Sequence, residues 1–91
     1  PFVRGDADGS GRIELTDAIF GLQYLFLGGD APSCADAADA NDDNAVDLSD
    51  SLHVLAFNFL GGNPPPAPFP RCGLDETKDS LGCESYDPCV Q

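Results

Sequence analysis

Asp6-Ala7-Asp8-Gly9-Ser10-Gly11-Arg12-Ile13-Glu14-Leu15-Thr16-Asp17 is the stretch that decides the fold. Oxygen-bearing side chains stand at positions one, three, five, nine and twelve of these twelve residues. Glycine stands at six and an aliphatic residue at eight. A twelve-residue loop winding around Ca²⁺ needs this arrangement, because the ion takes six to eight oxygens from a short chain. Position seven, Arg12, offers its carbonyl. The same spacing returns in Asp39-Ala40-Asn41-Asp42-Asp43-Asn44-Ala45-Val46-Asp47-Leu48-Ser49-Asp50. There Asn44 replaces glycine at the bend, and asparagine also tolerates the left-handed backbone. Two Ca²⁺ ions are therefore expected.

The offset between the two loops, 39 less 6, is 33 residues, and the match runs on beyond the loops. Leu15/Leu48, Asp17/Asp50, Leu22/Leu55, Phe26/Phe59, Leu27/Leu60 and Gly28-Gly29/Gly61-Gly62 are identical pairs. The chain is thus read as a tandem repeat over about 6–30 and 39–63. Thr16 and Ser49 are expected N-caps, with Asp17 and Asp50 in the first turn, where negative charge suits the helix dipole. Helices are expected near 16–27 and 49–60, ended by the double glycines. Leu15, Ala18, Ile19, Leu22, Leu25 and Phe26 share one face, as do Leu48, Leu52, Leu55 and Phe59. These faces are expected to form the core of an antiparallel helix pair, with Ile13 and Val46 joined as a short strand contact. Ala35–Ala38 reads as a single helical turn.

Composition sets outer limits. Ninety-one residues make one small domain, which usually needs metals or disulfides to hold it. The formal net charge of −12 makes nucleic acid and anionic membranes poor partners. Two Ca²⁺ would reduce it to about −8. Four cysteines, Cys34, Cys72, Cys83 and Cys89, without a CxxC pair, point to disulfides and an extracellular setting. Three pairings are open; Cys34–Cys72 with Cys83–Cys89 is preferred. The chain contains no membrane-spanning run. It begins at Pro1 and reads as a processed or excised piece of an exported protein.

No residue pattern supports catalysis. His53, the only histidine, lacks a cysteine or serine placed for nucleophilic chemistry and reads as a helix-surface or interface residue. Asp36, Asp75, Glu76, Asp79 and Glu84 read as solvated charge. Arg4-Gly5-Asp6 spells an integrin-type tripeptide, but Asp6 is committed to the loop. The chain is expected to be a non-enzyme.

Asp at position twelve of each loop, no entering first helix, and tandem loop–helix units together resemble the dockerin family over residues 3–63. The resemblance implies a mainly α fold, a pair of calcium-loop-helix (F-hand) repeats packed antiparallel. It also implies calcium-dependent folding and extracellular association, typically with cohesin domains. Metal roles then fall on Asp6, Asp8, Ser10, Arg12 (carbonyl), Glu14 (through water) and Asp17. In the second loop they fall on Asp39, Asn41, Asp43, Ala45 (carbonyl), Asp47 and Asp50. Partner-reading positions correspond to Leu15-Thr16 and Leu48-Ser49, and to Leu22-Gln23 and Leu55-Ala56. The latter pair, polar or basic in cellulosomal dockerins, is mostly apolar here.

A second apolar stripe, Phe20, Tyr24 and Leu27 with Ala56, Phe57 and Leu60, exceeds what one small core requires. Together with Gln23 and His53 it is the expected partner surface. Residues 64–91 form a Pro-rich, disulfide-bonded tail expected to pack on domain 1–63, anchored by Phe69 and Tyr86. Two associations are weighed: self-assembly of the subunit into an extracellular fibre or tube, and docking onto a cohesin-like receptor domain.

Overall fold

The two loops each hand the chain to a helix of the same length. In the computed structural model, which describes residues 1–74 and 81–89, α1 is Leu15–Phe26 and α3 is Leu48–Phe59. Between them lies a single turn, α2, Ala35–Ala38, and the tail closes with a 3₁₀ turn, Asp87–Cys89. The described residues are thus mainly α and contain no strand longer than an isolated bridge.

Both long helices start earlier than Thr16 and Ser49 suggested. Glu14 and Asp47 are the N-caps, in extended conformation. Asp17 Oδ2 accepts the Glu14 amide at 2.7 Å and Asp50 Oδ2 the Asp47 amide at 2.8 Å. The first-turn carboxylates thus reach back to the cap, so the helices begin where the loops end. At the other end the amides of Gly29 and Gly62 bond to the carbonyls of Gln23 and Ala56, with Gly28 and Gly61 left-handed between. This reach back over six residues is the glycine stop the sequence announced.

α1 packs against α3 through small residues, and this overturns part of the expected core face: Ala18 is buried and Leu22, Leu25 and Leu55 are half-buried, but the others are not. Ala18, Ser51 and Val54 are buried at the contact, and Ser51 Oγ donates to the Ala18 carbonyl at 3.1 Å. A Cβ on Gly21 would stand 2.7 Å from Ser51 Oγ, so the backbones meet closely here. Leu15, Ile19, Phe26, Leu48, Leu52 and Phe59 are turned out and exposed instead. The strand contact between Ile13 and Val46 does not form either. The bridges among the described residues join Phe2 to Gly73 and Cys34 to Cys83, and Ile13 packs its side chain on both apolar clusters.

A second apolar cluster is built from residues near both ends of the chain together with α2. Phe2, Val3, Cys34, Ala37 and Tyr86 form it, with Phe69 packed against them. Phe69 also meets Phe57 edge-on, ring centroids 5.4 Å apart. Arg4, wholly buried, ties these parts together. Its Nε donates to the Ala67 carbonyl at 3.0 Å, and its Nη1 to the carbonyls of Asp36 (3.2 Å) and Asp39 (3.0 Å). Its charge also faces Asp42 Oδ1 at 3.5 Å. With Arg4 at 0 % and Asp6 at 1 % exposure, the Arg-Gly-Asp tripeptide offers no adhesion surface.

The disulfides differ from the preferred pairing. Cys34 is bonded to Cys83 and Cys72 to Cys89. The bridge that pairs Cys34 with Cys83 in antiparallel register brings their sulfurs together, and the amides of Glu84 and Ser85 both bond the Ser33 carbonyl beside it. Asp36 is buried in α2 rather than solvated, whereas Glu84 is exposed. Asp75, Glu76 and Asp79 lie outside the described residues.

Candidate metal centres

Each loop is shaped by its own carboxylates accepting backbone amides. Asp6 Oδ1 accepts from Ser10 N–H (3.1 Å) and Oδ2 from Gly11 N–H (2.7 Å). Asp39 does the same with Asp43 (3.2 Å) and Asn44 (2.9 Å). Asp17 Oδ1 accepts Asp8 N–H at 3.2 Å, and Asp50 Oδ1 accepts Asn41 N–H at 3.3 Å. Residue for residue, the second loop repeats the first. The backbone is left-handed at positions four and six of both, Gly9 and Gly11 in one, Asp42 and Asn44 in the other. Short polar residues can hold that conformation by bonding locally, which is why the second loop manages without glycine.

These amide bonds draw the acidic side chains inward. One oxygen from each of Asp6, Asp8 and Asp17 lies within 4.8 Å of the others, and likewise for Asp39, Asp43 and Asp50. Two oxygens on opposite sides of a Ca²⁺ with bonds of about 2.4 Å would be separated by about that distance, so each triad fits around one such ion. Among the other expected ligands, Ser10 Oγ lies 3.4 Å from Asp6 Oδ1 and 3.3 Å from the Arg12 carbonyl oxygen. Asn41 points its Nδ2 at Ser49 Oγ, 3.0 Å away, while its Oδ1 is buried without a hydrogen-bond partner. A buried acceptor at ligand position three with no donor is what a cation would satisfy. Asp47 and Glu14, the position-nine residues, also serve as helix caps. Asp47 Oδ1 accepts the Ser49 amide, and Glu14 faces Arg12 at 3.7 Å. Ala45 contributes a half-buried backbone beside them.

The electrostatics of the triads call for positive charge. Burial pushes Asp17 up to about 9, against the amide of Glu14 and with the help of a hydrogen bond that its carboxyl donates to Asp8. Burial likewise raises Asp39 to about 6 and Asp50 to about 7. Asp8 is desolvated too, but hydrogen bonds with Asp17, Ser10 and Asp6 outweigh that and draw it down to about 2. The ion pairs Arg4–Asp42 and Arg12–Glu14 lie outside both triads. A proton on a raised carboxyl would relieve the same crowding of negative charge that a cation in the triad would.

Two residues at the sites were not assigned a role there by sequence. Arg4 braces loop two by donating to the Asp39 carbonyl. Tyr86, already an expected anchor, donates its hydroxyl to Asp6 Oδ2, 80 positions away in sequence. Burial, then the Asp6 contact, raises the affinity of this phenol for its proton. The only sequence signal was its place between Cys83 and Cys89.

The expected partner stripe is divided by the structure. Leu27 and Leu60 are 77 % and 81 % exposed, and Gln23 and Tyr24 are exposed as well. Phe20, His53, Ala56 and Phe57 are half-buried, Phe57 beneath Phe69. No family model, no curated protein and no solved structure matches this sequence.

Proposed function

We propose that this chain is a calcium-stabilised extracellular protein-association module of the dockerin-like kind, and that it assembles with copies of itself into a fibre or tube. One observation carries the reading. Large apolar residues are exposed in pairs related by the repeat: Leu15 with Leu48, Ile19 with Leu52, Phe26 with Phe59, and Leu27 with Leu60. Scattered apolar surface is ordinary, but the same pattern delivered twice by two helices is a surface for another protein.

In this reading Asp6, Asp8, Ser10, the Arg12 carbonyl, Glu14 and Asp17 hold one Ca²⁺. Asp39, Asn41, Asp43, the Ala45 carbonyl, Asp47 and Asp50 hold the other. The ions neutralise the buried triads and lock the start of each helix, and so present the apolar residues. Contact between Ala18 and Ser51, equivalent positions of the two repeats, is what an antiparallel F-hand pair related by a local two-fold would give. Duplication supplies each subunit with two matching patches, and contacts that do not close grow as filaments. Disulfides suit life outside the cell.

The test is the mass of the purified chain by sedimentation, with Ca²⁺ and after chelation. Polymers in Ca²⁺ that dissolve on chelation are expected. A concentration-independent monomer in Ca²⁺ would instead favour docking onto a cohesin-like domain, the reading that the loop–helix resemblance supports.

A further inference from the structure

The two loops are near copies, but what grips each from outside is not. At loop two Arg4 donates from outside, to the backbone carbonyl of Asp39. The Asp39 carboxylate accepts amides from Asp43 and Asn44 of its own loop. At loop one the carboxylate of Asp6 accepts the matching amides of Ser10 and Gly11 and, in addition, the hydroxyl of Tyr86. Tyr86 is itself held. Its ring is buried against Phe2, Val3, Cys34 and Ala37, and its segment runs between Cys83, bonded to Cys34, and Cys89, bonded to Cys72.

We infer that Tyr86 is a positioning residue for the first metal centre, so that the disulfide-bonded tail, through this hydroxyl, raises the affinity of site one. Gly11 N–H and the Tyr86 hydroxyl on Oδ2, with Ser10 N–H on Oδ1, fix the plane of the Asp6 carboxylate. A carboxylate so oriented binds without first losing rotational freedom. Hydrogen-bond partners of metal ligands typically govern affinity by about 10–100-fold. Tail closure and ion binding at site one are then one event, reciprocal by linkage. The inference rests on the calcium reading above.

The Gly11 and Asn44 amides donate to Asp6 and Asp39 respectively, so their NMR shifts report each site separately. In the oxidised full chain, Tyr86→Phe keeps the ring and removes the donor. A Ca²⁺ titration should then show the Gly11 midpoint raised about 10–100-fold and the Asn44 midpoint unchanged. Equal shifts at both amides, or none at either, overturn the inference while leaving the calcium reading intact. Wild-type Gly11 and Asn44 amides that ignore Ca²⁺ overturn both. Should the variant not fold, the phenol carbon resonance of Tyr86 in the wild-type chain decides. It should move with Gly11, and a resonance that stays still or follows Asn44 overturns the inference.

Discussion

Ser51 Oγ donates to the carbonyl of Ala18, its own counterpart in the repeat 33 positions earlier. At this contact the helices come close enough that the β-carbon of an alanine at position 21 would meet the same hydroxyl. The helix pair is therefore joined by small residues, and its large ones are free to face outward.

That geometry reverses the usual effect of a glycine replacement. In a helix interior Gly→Ala gains about 1 kcal/mol. Here Gly21→Ala should displace Ser51 and leave a buried hydroxyl unpaired, for a net loss of about 1 kcal/mol. With Ser51→Ala already in place, the same replacement should become stabilising. Thermal unfolding of the four proteins in saturating Ca²⁺ checks the reversal; additive effects would refute the contact.

The raised carboxyls make stability depend on pH differently with and without metal. Asp39, Asp50 and Asp17 hold their protons to about 6, 7 and 9 when folded, against 3.8 for the unstructured carboxyl. Their contribution to the metal-free fold is full below that unfolded value and is lost as pH rises through the folded values. Asp8, drawn down to about 2, acts in the other direction and loses its contribution only as pH falls below 3.8. Metal-free protein should be most stable near pH 4 and weaken steadily to pH 9. On the proposed reading, calcium would displace those protons, so its stabilising effect should widen over the same interval. Melting curves that stay parallel across it would contradict the site electrostatics.

Phe26→Asp with Phe59→Asp removes the largest exposed apolar pair without touching either loop. Helix content and Ca²⁺ uptake should stay as in the parent chain, while sedimentation in Ca²⁺ should show only monomer. Undiminished polymers would place the contact elsewhere on the surface.

Removing the disulfides separately should give unequal losses. Replacing Cys72 and Cys89 by serine opens a link spanning 17 residues, worth about 3 kcal/mol by loop entropy. The Cys34–Cys83 link spans 49 and should cost about 4 kcal/mol. Denaturant titration of both double variants measures the order, and the reverse order would show that tail packing matters more than chain closure.

What could be read in the chain alone was largely local, although the N-caps fall at Glu14 and Asp47, two residues before Thr16 and Ser49. The spacing of Asp6, Asp8 and Asp17, its recurrence at Asp39, Asp43 and Asp50, the helices behind each loop and their glycine stops all follow from contacts within about twelve residues. Only the tertiary structure decided which helix face is inside, which cysteines meet, and that Arg4 and Tyr86 brace the loops. The reason is physical. Apolar periodicity marks Leu15, Ile19 and Phe26 as a face without saying whether the face is buried, and backbone approach at Ala18, Gly21 and Ser51 settles that. A hydroxyl 80 residues from its carboxylate leaves no spacing to read, because the path between them exists only once the chain has folded.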